Sequence, residues 1–233
     1  MATLLLRLAA PLQSWGTDSK FETRRTEREP SKSGVMGMLA AALGLRRDQS
    51  RELRELTAVL RFGVRVDREG ELLRDYHMAH KDKKTSYVTN RYYLSDAVFL
   101  VGLESGDRAL LERLDDALRH PAFPLFLGRR SCPPTPPLSL GVREEELLDV
   151  LHKTPWQVSD WRRKGVPSLR LVTDGAPGES GSGVQRDLPL SFDPTRRNFT
   201  DRAVTQRGFI TPPDAGAGVT EHDPFAELGG ELP

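Results

Sequence analysis

The stretch TRRTEREPSKSGVMGMLAAALG, residues 23–44, places a basic loop directly before an apolar helix. Ser33 is predicted to be the helix N-cap, and Gly44 fits the left-handed position that ends many helices. Between them, apolar side chains recur at helical spacing, at Val35, Met38, Leu39, Ala42 and Leu43. The first turn of a helix has unpaired backbone N–H groups and partial positive charge, so this end is expected to attract an anion.

The loop before the helix supplies cations for such an anion. Arginine side chains can donate paired hydrogen bonds to phosphate oxygens. The alternative is a charged surface loop followed by an ordinary helix cap, which has the same backbone geometry as an anion site. The residues that this stretch offers to a phosphate are Arg24, Arg25, Arg28, Ser31, Lys32, Ser33 and Gly34.

Strand patterns lie on both sides of this helix. Residues 4–9 form a short apolar run before Pro11, which predicts a first strand, and a second short helix is predicted over residues 51–57. Residues 60–67 alternate in polarity, which predicts a half-buried strand with a basic outer edge. Its inward residues would be Leu60, Phe62, Val64 and Val66, and its outward residues Arg61 and Arg65.

The next segment, at about 69–96, has few core-forming positions and many polar or aromatic ones, and is expected to be an extended arm built as a β-hairpin. A strand at 97–104, an amphipathic helix at 107–119 and a strand at 123–128 follow. The resulting order, β-α-β-β-α-β, predicts an α+β fold of the ferredoxin-like type, which is also the plan of the RNA-recognition module (RRM-like). The first strand carries no aromatic residue, so base stacking on the sheet is not predicted.

The chain changes character after this core. Residues 1–141 are expected to form the ferredoxin-like RNA-binding domain with its arm, and residues 142–211 a small β-rich C-terminal region. Residues 212–233 are rich in Pro, Gly and Ala and are expected to be a mobile tail.

Charge is distributed unevenly along the chain, although the net charge is only +1. Residues 1–100 hold 18 Lys and Arg against 13 Asp and Glu, and the remainder holds 16 against 20. A polyanion is therefore expected on the first half. The single cysteine, Cys132, excludes an internal disulfide and a multi-cysteine zinc site, which fits a cytoplasmic protein. No membrane span, nucleotide-binding glycine motif, metal site or cofactor is predicted.

A second basic corner follows the predicted strand at 123–128. Gly128 would let the backbone turn close to a ligand, and Arg129, Arg130 and Ser131 would contact it. Further RNA-binding candidates lie elsewhere in the chain, with Trp15 open to either base stacking or a core role. These candidates are Gln13, Trp15, Arg91, Tyr92, Arg197 and Arg202.

One group in the arm could cleave RNA. Such cleavage needs a base for the 2′-hydroxyl proton and a cation for the charged intermediate. Tyr76, His77 and Lys81 are the candidates for this alternative, in a metal-independent endoribonuclease. A mobile arm is a poor platform for preorganised chemistry, so no catalytic residue is predicted in the main interpretation.

Six blocks together resemble one known family. They are LRLAAPLQSWG, FETRRTEREPSKSGVMGMLAAALG, FGVRVD, LRDYH, RYYLSDAVF and PLFLGRRSCPPTPPL. Their order and spacing resemble the CRISPR-associated family numbered five, of the RAMP superfamily, in its type I-E Cascade branch. NFTDRAV, at residues 198–204, resembles that family's C-terminal basic segment.

The resemblance implies a non-catalytic subunit that binds the 5′ handle of the CRISPR RNA. It implies that the subunit caps the RNA-bound backbone next to the large subunit, with its arm folded over the RNA. The implied partners are the CRISPR RNA, a Cascade backbone subunit and the large subunit, with target DNA contacted indirectly and no membrane. In a sister branch the equivalent protein is itself the endoribonuclease, which keeps that alternative open.

Overall fold

A computed structural model describes residues 1–17, 23–80, 86–159, 163, 167–176, 178–179 and 182–215. Within these residues the chain is a mixed α+β protein with one large antiparallel sheet and few helices. The elements in chain order are β1 (Ala2–Ala9), β2 (Leu12–Gln13), β3 (Thr23–Arg24), α1 (Lys32–Ala42), α2 (Ser50–Ala58), β4 (Arg61–Arg68), β5 (Glu71–His80), β6 (Ser86–Ser95), β7 (Val98–Ser105), α3 (Arg108–Arg119), β8 (Ser139–Arg143), α4 (Leu147–Lys153), β9 (Leu169–Asp174), β10 (Ser182–Ser191) and β11 (Asn198–Ile210).

The large sheet has seven strands in the order β10-β11-β9-β4-β7-β1-β8, and every neighbouring pair is antiparallel. Helices α1 and α3 pack on one face, where Leu4, Leu6 and Leu8 of β1 are buried. Helix α4 packs on the other face, against Leu5. Strand β1 is therefore covered on both faces, which explains why it reads as an almost unbroken apolar run.

The predicted strand at 123–128 is wrong. Its proline cannot donate to a strand ladder, and Gly128 adopts a φ of +84°. The start of this segment instead completes the end of α1, because the N–H groups of Ala122 and Phe123 donate to the carbonyls of Ala42 and Ala41. The strand that follows α3 in the sheet is β8, which begins at Ser139, eleven residues after Gly128. The domain boundary expected after residue 141 therefore falls within this strand.

The outward position predicted for Arg65 is also wrong. Its side chain is fully buried, paired with Asp67 at 2.6 Å, and it donates to the carbonyls of Leu151, Thr154 and Pro155. Helix α4 and the turn after it cover this face of the sheet, and carbonyl groups at a helix C-terminus favour a cation. Burial raises the pKa of the Asp67 carboxyl, against the lowering effect of the hydrogen bond from Arg65.

The arm is an antiparallel hairpin of β5 and β6, paired from Glu71–Ser95 to His80–Ser86. At its base β6 also pairs with β2 and, in parallel, with β3. Large apolar side chains on the arm are 41–62% exposed, namely Leu72, Leu73, Tyr76, Met78, Tyr87 and Val88.

Strands β9, β11 and β10 extend the large sheet beyond β4, so this later part of the chain shares one sheet with the first. Most of the tail after residue 211 lies outside the described residues. No helix in the described part of the chain combines the length and the apolar character that a bilayer crossing needs.

Candidate functional site

The two basic corners predicted from the sequence lie against each other, since Arg129 of the second donates to the carbonyl of Arg24 in the first. The second corner also contacts Ser14, in the loop after β2. The N–H of Ser14 donates to the carbonyl of Leu127 at 3.2 Å. A side chain at Gly128 would place its Cβ 1.6 Å from the carbonyl oxygen of Ser14, at a left-handed φ of +84°. Glycine is therefore required here both by the backbone conformation and by the close approach.

Three arginines meet where these corners join: Arg24, Arg91 and Arg129, hereafter the arginine corner. Arg129 donates through Nη2 to the carbonyl of Arg24 at 2.8 Å, and its guanidinium lies 4.6 Å from the centre of the Tyr93 ring. Arg24 of β3 pairs with Arg91 of β6, and Arg91 shares a strand face with Tyr93 because the two are two positions apart.

Two donor atoms of the arginine corner have no acceptor. Nη1 of Arg129 and Nε of Arg91 are buried and have no hydrogen-bond partner among the described residues. A buried donor without a partner costs about 1–3 kcal/mol, so such atoms call for an explanation. An anion bound at this corner would be a source of such acceptors.

The surroundings of the arginine corner are polar and accessible. Arg25, Arg28, Gly128, Arg130 and Ser131 are exposed. Tyr92 is half-buried, and its carbonyl accepts a hydrogen bond from the Ser14 hydroxyl at 3.2 Å, which joins the arm to the loop after β2.

The anion site predicted at the start of α1 is already filled by the protein. Ser31, rather than Ser33, is the N-cap, and its hydroxyl accepts from the N–H of Gly34 at 3.2 Å. The buried carboxylate of Asp187 accepts from the N–H of Lys32 at 2.7 Å. The prediction that the N–H of Gly34 is free for a phosphate is therefore wrong, whereas the contacts predicted for Ser31 and Ser33 stay predictions.

Lys32 and Arg202 also point inward, which contradicts their predicted contact with RNA. Lys32 pairs with Asp174 at 2.8 Å and donates to the carbonyl of Leu60. Arg202 pairs with Asp187 at 2.6 Å and with Asp174 at 2.7 Å. Burial acts to lower the pKa of Arg202, but the hydrogen bonds and charges of these two carboxylates raise it overall. These ion pairs fasten β9, β10 and β11 to α1.

Gln13 and Trp15 are core residues. The amide of Gln13 donates to the carbonyls of Leu8 and Ala97, and its oxygen accepts from the indole N–H of Trp15 at 3.1 Å. Trp15 is 1% exposed and packs against Gly34 of α1. Its ring is not accessible to a base in this structure, so the core alternative applies.

Arg197 lies in the turn before β11 and is exposed, with its guanidinium 5.1 Å from the centre of the Phe199 ring. Although Arg197 is exposed as a residue, partial desolvation of its guanidinium lowers the pKa, and the nearby charge of Arg47 lowers it further. It does not join the arginine corner but lines a groove beside α1, which Gly128 of that corner also lines.

The candidates for cleavage do not converge. Tyr76 and His77 are neighbours on β5, so their side chains leave opposite faces of the hairpin. Lys81 lies outside the described residues. Cys132 is buried, and burial raises the pKa of its thiol, which disfavours a nucleophilic role. Among the described residues, no cluster of three or more His, Cys, Asp or Glu could hold a metal ion.

Residues 3–205 match the family model described as CRISPR-associated protein (Cas_Cas5). The chain belongs to the Cas5 family. The resemblance of the six sequence blocks is thereby confirmed at the level of the family. A curated relative of this Cas5 protein is "CRISPR system Cascade subunit CasD" of Escherichia coli (strain K12). It is 40% identical over 159 residues, which are 59% of this chain and 70% of the relative.

Two solved structures are similar to this Cas5 protein along most of its length. One, titled "CRISPR RNA-guided surveillance complex", has a TM-score of 0.75 at 33% identity and covers 92% of this chain and 95% of that chain. The other, titled "Crystal structure of Cas protein", has a TM-score of 0.70 at 44% identity and covers 89% of this chain and 95% of that chain.

Sequence reasoning missed the residues that organise this Cas5 site from a distance. Asp174 and Asp187 neutralise Lys32 and Arg202, and nothing in their local sequence indicates partners so far along the chain. Tyr93, which supports Arg129, had a usable signal. It alternates with Arg91 on a predicted hairpin strand, so the two could have been assigned to one face.

Proposed function

We propose that this chain is a non-catalytic subunit of a type I-E Cascade surveillance complex and that its arginine corner holds the 5′ handle of the CRISPR RNA. The observation that carries the proposal is the pair of buried, unpartnered donors on Arg91 and Arg129 beside the exposed cations of the same corner. The names of the Escherichia coli relative and of the similar solved complex support membership of such an assembly.

The geometry of Arg129 suits phosphate binding. One of its donors is held by the carbonyl of Arg24 and its guanidinium lies over the Tyr93 ring, so the side chain is oriented before RNA arrives. A cation that is already fixed loses less side-chain entropy when it binds, and arginine donates to phosphate in pairs. Arg130, Ser131, Arg25 and Arg28 are accessible around it and would contact the neighbouring backbone of the strand.

The fold supports binding at loops rather than on the sheet. Strands β8-β1-β7-β4, joined through α1 and α3, follow the strand order of a ferredoxin-like domain, and we assign that plan to this part of the chain. In RNA-recognition modules of this plan the open sheet face stacks bases. Here α4 covers that face, with Leu147 against Gly63 and Gly102. RNA is therefore directed to the loops at the base of the arm.

The arm itself would contact a neighbouring backbone subunit or the RNA beside it, and this cap would lie next to the large subunit. The exposed apolar side chains of the hairpin fit contact with a partner. A single buried cysteine and a nucleic-acid-guided role both favour the cytoplasm.

The test is assembly of the complex from its own subunits and CRISPR RNA with the double variant Arg129→Ala and Arg130→Ala. We expect a lower content of CRISPR RNA in the purified complex because cationic contacts to the handle are lost. The matched control is Arg113→Ala, which removes an exposed arginine from α3. Unchanged RNA content and assembly in the double variant would contradict the assignment.

A further inference from the structure

A groove of about 690 Å³ runs along the outward side of α1. Small residues of the helix, Gly34, Gly37 and Ala41, form its floor. Phe123 on one side and Phe192 on the other form aromatic walls, and Phe123 is 48% exposed. A Cβ added at Gly37 would meet only the Phe192 ring, at 3.5 Å, so the floor is open along the middle of the helix.

One end of the groove is strongly cationic. Arg46 and Arg47, just after α1, line it together with Arg197 from the turn before β11. No Asp or Glu of the described residues lines the groove. Asp193 lies four positions before Arg197 in the sequence. Its carboxylate already accepts hydrogen bonds from the N–H and the hydroxyl of Thr195.

Among the described residues, no carboxylate lines this end to offset its positive charge. The pKa of Arg197 is lowered by burial and then by Arg47, and no carboxylate offsets either effect. Cations that only repel each other at the mouth of an apolar groove favour an occupant that brings negative charge.

The uncharged polar side chains of the groove, Ser33 and Gln49, already have hydrogen-bond partners in the protein. The hydroxyl of Ser33 donates to that of Ser31 at 3.4 Å. The oxygen of Gln49 accepts from the N–H of Arg46 at 2.7 Å, and its nitrogen donates to Glu52. A nucleobase has several polar edge atoms, which would be left without partners against this floor, whereas apolar side chains need none.

We propose that this groove docks a short amphipathic helix of another protein subunit, with its apolar face on α1 and acidic residues at the end that meets Arg46, Arg47 and Arg197. Helices in grooves are a recurrent mode of recognition, and small residues on a helix surface allow a second helix to approach closely. The inference rests on the assembly part of the proposed function and does not need the RNA contact of the arginine corner.

The test places the photo-crosslinker p-benzoylphenylalanine at position 123 in the complex assembled with its own subunits and CRISPR RNA. Phe123 is suited to this because its side chain is exposed, and its backbone bond to Ala41 does not depend on the ring. The same crosslinker at Phe209, which is 68% exposed and does not line the groove, is the reference. Adducts are mapped by mass spectrometry, and subunit and RNA contents are measured in the same sample.

The expected result is an adduct at position 123 with a protein subunit, within a helical segment that carries Asp or Glu. Arg47→Glu with Arg197→Glu should reduce that adduct about tenfold, because like charges across an interface oppose binding. Arg54→Glu, on the exposed side of α2, should leave it unchanged.

An adduct with RNA, or no adduct above the reference in a complete RNA-loaded complex, would overturn the inference alone. An adduct that survives the double charge reversal would also overturn it. If the wild-type chain does not purify with other subunits, both this inference and the proposed function are wrong.

Discussion

Asp187 accepts a hydrogen bond from the backbone N–H of Lys32 at 2.7 Å, although the two residues are 155 positions apart in the chain. The carboxylate, which is fully buried, also pairs with Arg202. The carboxylate of Asp187 thus occupies the N-terminus of α1, where the local sequence predicts an anion site. This explains why that site is not open to a ligand.

Replacement of Asp187 by Ala should destabilise the protein strongly. Removal of one partner of a buried ion pair leaves the other charge uncompensated and costs about 3–5 kcal/mol. The free energy of unfolding, measured by urea denaturation, should fall by that amount. Asp201→Ala, at an exposed position of β11, is the control and should change it by less than about 0.5 kcal/mol. Equal effects of the two substitutions would show that Asp187 does not organise this region.

Two glycines of α1 should respond in opposite directions to alanine. An added Cβ at Gly37 meets only Phe192, at 3.5 Å, so Gly37→Ala should raise the free energy of unfolding by about 0.5–1 kcal/mol through the backbone entropy of the unfolded chain. At Gly34 the Cβ would lie 2.9 Å from the buried Trp15 ring, so Gly34→Ala should lower it. Thermal and urea denaturation of both variants measure this, and a stabilised Gly34→Ala would contradict the packing described.

Local patterns predicted the elements that depend on local residues. The apolar run of β1, the helical spacing of α1 and the left-handed Gly44, at a φ of +76°, all match the structure. The N-cap was misplaced by two residues because Ser31 and Ser33 both suit a cap. The hydrogen bond from the N–H of Gly34 to the hydroxyl of Ser31 distinguishes them. An N-cap side chain accepts from the third residue of its helix, and Gly34 is three positions after Ser31.

The predictions that failed depend on distant parts of the chain. The alternation of residues 60–67 cannot reveal that α4, more than eighty residues later, covers the second face of the sheet and buries Arg65. Likewise, a charge count cannot tell the accessible Arg130 from the paired Arg202. The sequence predicted that the two basic corners share one surface, but not that Arg129 contacts Arg24. The two residues are 105 positions apart, so no local pattern indicates their contact.

Gly128→Ala should disrupt the arginine corner. The new Cβ would lie 1.6 Å from the Ser14 carbonyl oxygen, and a φ of +84° is unfavourable for alanine, so the backbone must move. We expect loss of stability of more than about 1 kcal/mol together with weaker retention of CRISPR RNA. Gly183→Ala, where an added Cβ meets nothing within 4 Å, is the control. Wild-type RNA retention by a folded Gly128→Ala protein would indicate that the corner does not hold the RNA.

The arm should not cleave RNA. Tyr76 and His77 point to opposite faces of the hairpin, so a base and its partner are not preorganised there. We expect repeat RNA incubated with the purified protein in EDTA to remain intact on a denaturing gel, for the wild type and for His77→Ala alike. Discrete cleavage by the wild type that disappears in His77→Ala would favour the endoribonuclease alternative.

Removal of the Arg129 side chain should change the salt dependence of RNA binding as well as its strength. Each phosphate contact to a single strand contributes about 0.7 to the slope of log K against log salt, because bound counterions are released. In titrations of the purified protein with labelled repeat RNA at several salt concentrations, Arg129→Ala should therefore reduce the slope by about 0.7. Arg113→Ala, on α3, should keep the wild-type slope. A weaker affinity with an unchanged slope would mean that Arg129 supports the fold of the corner without contacting a phosphate, because only a direct ionic contact releases counterions.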